Sequence, residues 1–298
     1  LSNATQLEFL RSKAVQPLLD ALAKNPQAPK PSQIAALTIF RTQSVAAPLL
    51  ALSAAPTSLQ VPTDVTFETI IRDPASLPGV GALIHGTMKV AQLVADLGPL
   101  QSPANPKVKT IPFLMTLPKK AAVPTARVAI VQHGFTRWRG DAVALAPALA
   151  AGGLALFAID INYHGGRVVC VSDSDCDSGV SCNRAAAADP AGTCAGGASK
   201  PATGAEAATI PGGTAKFPVS SLPQRDFTNF ANLFAARDNL RQHVVDLSQV
   251  VRVLQAQGAS TVQGRLAADG NLATINATSI GYVGQSLGAI LGTSFLAI

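Results

Sequence analysis

The stretch Ser279-Ile280-Gly281-Tyr282-Val283-Gly284-Gln285-Ser286-Leu287-Gly288 decides how the rest of the chain is read. Its first five residues are short, apolar and β-prone, while Leu287 to Ile298 is an uncharged run rich in Ala, Leu, Ile and Gly, suited to a buried helix. A strand therefore enters a sharp turn and a helix leaves it. Side chains beside so tight a bend would collide, so Gly284 and Gly288 supply the clearance. The turn lifts the Ser286 hydroxyl above the sheet edge and aims the first N–H groups of the helix at any negative charge that develops there.

Upstream of this turn, short apolar runs alternate with helical ones. Arg127 to Gln132 reads as a buried strand followed by His133-Gly134-Phe135, and Asp141 to Ala151 as a short helix stopped by Gly152-Gly153. Leu154 to Ile161 is the next buried strand, running into Asp160-Ile161-Asn162-Tyr163-His164-Gly165-Gly166-Arg167. Phe227 to Gln257 is the strongest helical pattern, with Phe230, Leu233, Phe234, Leu240, Val244, Leu247, Val251 and Leu254 in one apolar stripe and Gly258 as its stop. A linker holding Gly264 and Gly270 leads to the final strand. Strand and helix in alternation from Ala126 onward predict an α/β fold with a mostly parallel sheet and helices on both faces.

The N-terminal part has another character. Leu7, Leu10, Ala14, Leu18 and Leu22 step by three and four, which predicts an amphipathic helix over residues 5–23, ended by Asn25-Pro26. Ile34 to Ser44 reads as a strand, Val65 to Arg72 as another, and Gly86 to Leu97 with Lys109 to Leu117 as an antiparallel pair that opens the sheet. The expected division is an N-terminal accessory region over 1–80 and a core over 81–298. That core is interrupted at 168–223 by a Gly-rich insertion too long for an ordinary connection.

At 298 residues the chain can bury one large core and carry an accessory piece. Only 13% of residues are charged, so a membrane span has to be considered. The uncharged apolar run Ala142 to Ile159 reaches the lower limit for a span but is cut by Pro147 and Gly152-Gly153, which predicts no transmembrane segment. The net charge of +6 is scattered, Lys119-Lys120 being the longest basic run, and that predicts no nucleic-acid partner.

Cys170, Cys176, Cys182 and Cys194 all fall within the insertion, spaced C-x5-C-x5-C-x11-C. Zinc sites favour C-x2-C pairs, and an even number of cysteines in a Gly/Asp/Ser/Ala-rich loop predicts two disulfides, for which three pairings are open. Disulfides imply an oxidising location, so the protein is expected to be secreted, periplasmic or in the cell envelope. No metal or other cofactor is expected. Asp173-x-Asp175-x-Asp177 starts like a calcium loop, but Ser178 stands where Gly is needed and Arg184 where the closing Glu belongs.

Taken in order, His133-Gly134-Phe135, the Asp160 to Arg167 turn, the long helix and Gly-Gln-Ser-Leu-Gly resemble the α/β hydrolases. Within that fold the chain is similar to the secreted bacterial lipase-like esterases, including the bacterial virulence factor lipases. The likeness spans roughly Ile34 to Ile298, and Ile34 to Ser44 resembles a strand of that group's accessory region. The resemblance implies Ser286 as nucleophile and the N–H groups of Leu287 and Phe135 as oxyanion donors, with Gly134 keeping the backbone open to substrate. In this family the acid and histidine of the triad follow the serine. Neither is recognisable between Ser286 and Ile298, and the chain begins at Leu1 rather than Met. The sequence therefore reads as a piece whose fold continues downstream, with the C-terminal part missing and the piece alone catalytically crippled. Among the histidines, His133 is expected to order the oxyanion turn, His164 to steady its own loop and His243 to be structural, while His85 lies away from the chemistry. Asp160 is expected to hold the adjacent turn.

The function expected on these grounds is an exported serine hydrolase, a lipase or esterase, that cleaves a small-molecule or lipid carboxylic ester. Two other readings stand beside it. One is a non-catalytic envelope or adhesive module that binds through the cross-linked insertion, and the other a peptidase on the same fold.

Overall fold

A computed structural model describes residues 16–27, 46–94, 107–167, 173, 181–183, 193–194, 208–209, 216–217, 227–228 and 232–298. The chain divides into two compact units, Leu1–Val45 and Ala46–Ile298. In the first, helix α1 spans Gln16–Ala23, and the Asn25 carboxamide accepts the Gln27 N–H at 3.0 Å in the turn after it. The rest of the expected helix and the expected strand over Ile34 to Ser44 lie outside the described residues.

The second unit is built on a six-stranded sheet. Helices α2 (Ala46–Ser53) and α3 (Ala55–Ser58) precede β1 (Val65–Arg72), β2 (Val80–Gln92), β3 (Lys107–Pro118) and β4 (Thr125–Gln132). A 3-10 segment over Arg139–Leu145 runs into α4 (Ala146–Ala151), and β5 (Leu154–Ile159) follows, ending in a 3-10 turn over Gly165–Arg167. Helices α5 (Leu233–Gln255) and α6 (Val262–Asp269) lead to β6 (Thr274–Gly284) and α7 (Leu287–Leu296).

The spatial order is β1-β2-β3-β5-β4-β6. β4 pairs in parallel with β5 and with β6, whereas β3 is antiparallel to β5 and to β2, and β1 is antiparallel to β2. Strands β2, β4, β5 and β6 thus point one way and β1 and β3 the other. The crossover that places β5 between β3 and β4, and brings the last strand beside β4, is the doubly wound order of the α/β-hydrolase fold. In such sheets, sites form beyond the carboxyl ends of the parallel strands.

Alternation along the strands feeds two cores. Ala82, Ile84, Met88, Phe113, Met115, Val128, Ile130, Phe157 and Ile159 face α5 and α6, which contribute Leu247, Val250, Val253, Leu254, Val262 and Leu266. The intervening Leu83, Leu114, Val131, Leu156 and Ala158 pack on the other face with Trp138, Val143, Ala146 and Ala150. Phe113 and Phe157 stack with ring centroids 4.9 Å apart at the centre of the sheet. A core of this kind is driven chiefly by removal of apolar area from water.

Three expectations change. The long helix starts at Leu233, and its predicted stripe is broken, because Leu233 and Phe234 are exposed while Asp238, Asn239, Gln242, His243, Asp246 and Gln249 are buried. Those polar residues are on the core side because the chain end of β2 needs partners: Gln242 Oε1 accepts the Leu93 and Val94 N–H groups at 2.8 and 3.2 Å, and its Nε2 donates to Ala91 O. The supposed linker around Gly264 is helix α6, capped by Thr261, whose hydroxyl accepts the Gly264 N–H at 3.3 Å. Finally, α7 is helical but not a buried helix, since Ile290 and Leu296 are 65% and 67% exposed.

Of the insertion, two short antiparallel ladders are described, Cys182–Asn183 with Thr193–Cys194 and Ala208–Thr209 with Lys216–Phe217. Cys182 and Cys194 face each other in the first. Cys170 and Cys176 lie outside the described residues, as do Asp175 and Asp177, whereas Asp173 Oδ1 accepts the Cys182 N–H at 2.6 Å. Among the described residues no helix is long and apolar enough to cross a membrane.

Candidate active site

β6 ends at Gly284 and α7 begins at Leu287, so the reversal between them is two residues long. Ser286 occupies the N-cap of α7 at φ 49° and ψ −116°, a combination in which an L-residue is strained. The packing shows why glycines flank it. A methyl on Gly288 would meet the carbonyl oxygens of Gln132 and His133 at 2.4 and 2.7 Å, and one on Gly284 would meet Gly288 and Ala289 backbone atoms at 2.6 Å. The helix therefore rests directly on the end of β4. Gln132 O also accepts the Gln285 N–H at 3.0 Å, which ties the turn to that strand.

The Ser286 hydroxyl caps nothing, since α7 has no side-chain cap bond. Tyr282, which sequence reading treated only as a strand residue, braces the helix from below: its hydroxyl donates to Gly288 O at 2.7 Å, and its ring fills the space a Gly292 side chain would take. No spacing rule in the sequence announces that contact.

The turn after β4 comes to the same place. A methyl built on Gly134 would stand 3.2 Å from Ser286 Cβ and 3.8 Å from Ser286 Oγ. Gly134 O is held by the His133 ring, with Nδ1 2.8 Å away, and by the Arg137 N–H at 3.2 Å. Neither the Phe135 N–H nor the Leu287 N–H donates to an acceptor among the described residues. Phe135 and Leu287 pack together with Ile161, Tyr163, Phe227 and Leu291, and the Phe135, His164 and Phe227 rings lie 5.3 to 6.1 Å apart. On the other side of the elbow, a cleft of about 360 Å³ is bounded by His133, Arg137, Asp141, Leu145, Val283 and Gln285.

His133 is buried, and its two nitrogens are committed: Nε2 accepts the Ile161 N–H at 3.0 Å, which leaves the proton on Nδ1 for Gly134 O. Burial lowers its pKa, outweighing the attraction of Asp160. His164 is buried as well, with Nδ1 2.9 Å from Asn162 O and Nε2 without a hydrogen-bond partner among the described residues, and burial lowers its pKa to about 4. His243 is wholly enclosed on α5, and neither of its ring nitrogens has a hydrogen-bond partner among the described residues. His85 lies on β2 with a pKa lowered by burial to about 3. None of the four histidines forms a hydrogen bond with Ser286.

Asp160, at the end of β5, is fully enclosed. Burial pushes its pKa up, but the Arg139 guanidinium and the N–H groups of Arg139 and Gly166 outweigh that and hold it below the usual carboxylate range. Arg139 carried no role in the sequence reading, and the only hint of it was the Gly165-Gly166 pair. A methyl on Gly165 would fall 2.4 Å from the Asp160 carboxylate.

In sequence the chain matches no family model and no curated protein. Among solved structures it is similar to the acetyl xylan esterase from Paenibacillus sp. R4, with 15% identity, 87% of this chain and 57% of that chain covered, and a TM-score of 0.42. It is also similar to the glucuronoyl esterase from Solibacter usitatus, with 10% identity, 98% of this chain and 55% of that chain covered, and a TM-score of 0.32. The chain thus spans little more than half the length of either.

Proposed function

We propose that the protein is a serine hydrolase that cleaves carboxylic esters through an acyl-enzyme on Ser286. One observation carries this reading: an uncapped serine held at positive φ on a strand-to-helix turn, with the Gly134 backbone against it and the Phe135 and Leu287 N–H groups unengaged. Ser286 Oγ attacks the ester carbonyl carbon and its proton passes to a general base. The two N–H groups stabilise the resulting oxyanion, the alcohol departs with that proton, and water then releases the acid. His133 is not that base, because its free lone pair is spent on Ile161. In the chain order of this fold the acid and the histidine of the triad follow the serine, so the general base is expected from sequence after the elbow.

The facing of Cys182 and Cys194 supports a cross-linked insertion and, with it, an exported protein. A fluorophosphonate probe tests the central claim. In the protein carrying its full triad, Ser286 is labelled and Ser286→Ala abolishes the adduct. A folded, triad-complete protein that takes no label rejects the reading and leaves a binding module. Short p-nitrophenyl esters turned over in preference to peptide amides separate an esterase from a peptidase.

A further inference from the structure

The loop that carries the Phe135 N–H leaves β4 at His133 and enters the 3-10 segment at Arg139. Both of its ends are fastened to one place, the turn after β5. At the start, His133 Nε2 accepts the Ile161 N–H at 3.0 Å. At the finish, Asp160 Oδ1 accepts the backbone N–H of Arg139 at 2.7 Å, and Oδ2 takes both the Arg139 guanidinium and the Gly166 N–H. Behind Asp160, Arg167 Nη1 donates to its carbonyl at 3.0 Å and to Asp246 Oδ2 on α5 at 2.6 Å. Charges of alternating sign, Asp246, Arg167, Asp160 and Arg139, therefore run from the long helix to the end of the loop.

Two features bear on what this clamp does. Thr136, directly after Phe135, sits at φ 62°, which a β-branched residue adopts only when its surroundings compel it. The carboxylate of Asp160 also spends its bonds on the two turns beside the elbow and on Arg139, none of them on the hydrophobic core. A buried ion pair is a weak source of net stability, because desolvating both charges offsets their attraction. It is a good way to fix two backbone segments in register.

We propose that Asp160 is a positioning residue for the oxyanion peptide, acting through the backbone N–H of Arg139. The inference rests on the reading of Ser286 and Phe135 given above. An oxyanion donor lowers the barrier only if it is already in place when the charge forms, so a loop released at one end loses rate rather than substrate affinity.

The test is Asp160→Asn in the full-length protein, which keeps the size and one acceptor but removes the charge and the second acceptor. The expected result is a kcat for a short p-nitrophenyl ester lowered about 10- to 100-fold with KM within about twofold. Hydrogen exchange at the bonded amides of Arg137, Trp138 and Arg139 is expected to quicken about tenfold or more while β3 and β5 keep their protection. An unchanged kcat overturns the proposal, and so does faster exchange spread evenly over the core strands, which marks a purely structural role. If the parent shows no ester turnover, the proposed function has failed, and unchanged exchange at the amides of residues 137–139 then separately rejects the clamp. Should Asp160→Asn not fold, the double variant Asp160→Asn with Arg139→Met buries no unpaired charge and carries the same readouts in the same directions.

Discussion

Gly134 lies against Ser286 so closely that a methyl group on it would stand 3.2 Å from Ser286 Cβ and 3.8 Å from the hydroxyl oxygen. The first contact is tight enough that the serine has to give by a few tenths of an ångström. Gly134→Ala is therefore expected to cut ester turnover about tenfold or more by displacing the hydroxyl, with less than about 1 kcal/mol lost in urea unfolding. Turnover at the parent rate by a folded Ala variant would show that this approach is not part of the site.

The strain at Ser286 gives a second prediction. At φ 49° and ψ −116° a glycine relaxes and an alanine does not, so Ser286→Gly should be more stable than Ser286→Ala by about 1 kcal/mol. In an unstrained helix the order is the reverse. Chemical denaturation of the two inactive variants decides it.

Gly288 is limited by backbone rather than by side chains, since its methyl would meet Gln132 O at 2.4 Å and His133 O at 2.7 Å. Neither oxygen can rotate away. Gly288→Ala is expected to lift α7 off the end of β4 at a cost of about 1–3 kcal/mol and to abolish probe labelling. A variant with parent stability and labelling contradicts the packing described.

His133 permits its two bonds to be separated chemically. An Asn amide nitrogen takes the place of Nδ1 and can still hold Gly134 O, whereas a Gln side-chain oxygen takes the place of Nε2 and can still accept the Ile161 N–H. If the Gly134 contact sets the plane of the Gly134–Phe135 peptide, His133→Asn retains several-fold more kcat than His133→Gln. Equal rates in the two variants would assign the ring to loop stability alone.

Acid should destabilise the fold. The folded-state pKa of His164 is lowered to about 4 and that of His85 to about 3, each from 6.5, so between these values the unfolded chain binds more protons than the folded one. Their contribution is fully present above pH 6.5 and is lost as the pH falls, on the order of 1–2 kcal/mol apiece by pH 5. Urea midpoints measured from pH 7.5 down to 5 check this, and His164→Phe should flatten the slope. A pH-independent midpoint would mean that these imidazoles are solvated.

Local features were the legible ones. The elbow could be read because its requirement is steric and sits within five residues, with Gly284 and Gly288 needed wherever a strand turns this sharply into a helix. The strands Val65–Arg72, Thr125–Gln132 and Leu154–Ile159 were legible as apolar runs between breakers, and the long helix was legible in kind and in its end before Gly258, though not in its start. Its inward face was not. Hydropathy assigns Gln242 and Asp246 to solvent, yet Gln242 bonds Leu93 and Ala91 about 150 positions earlier, and Asp246 pairs with Arg167, 79 positions away. Asp160 was legible as a turn residue, but not its grip on Arg139 across the mouth of the site.

The sequence by itself determined the α/β order, the sharp turn at Ser286 and the glycine beside it, because periodicity and steric clearance act over a few residues. Only the tertiary structure decided the strand order that brings His133-Gly134-Phe135 against that turn, and which charges are buried between Asp246 and Arg139. A buried polar group is stable only opposite its partner, and the partner is set by how the chain folds back rather than by its neighbours in sequence.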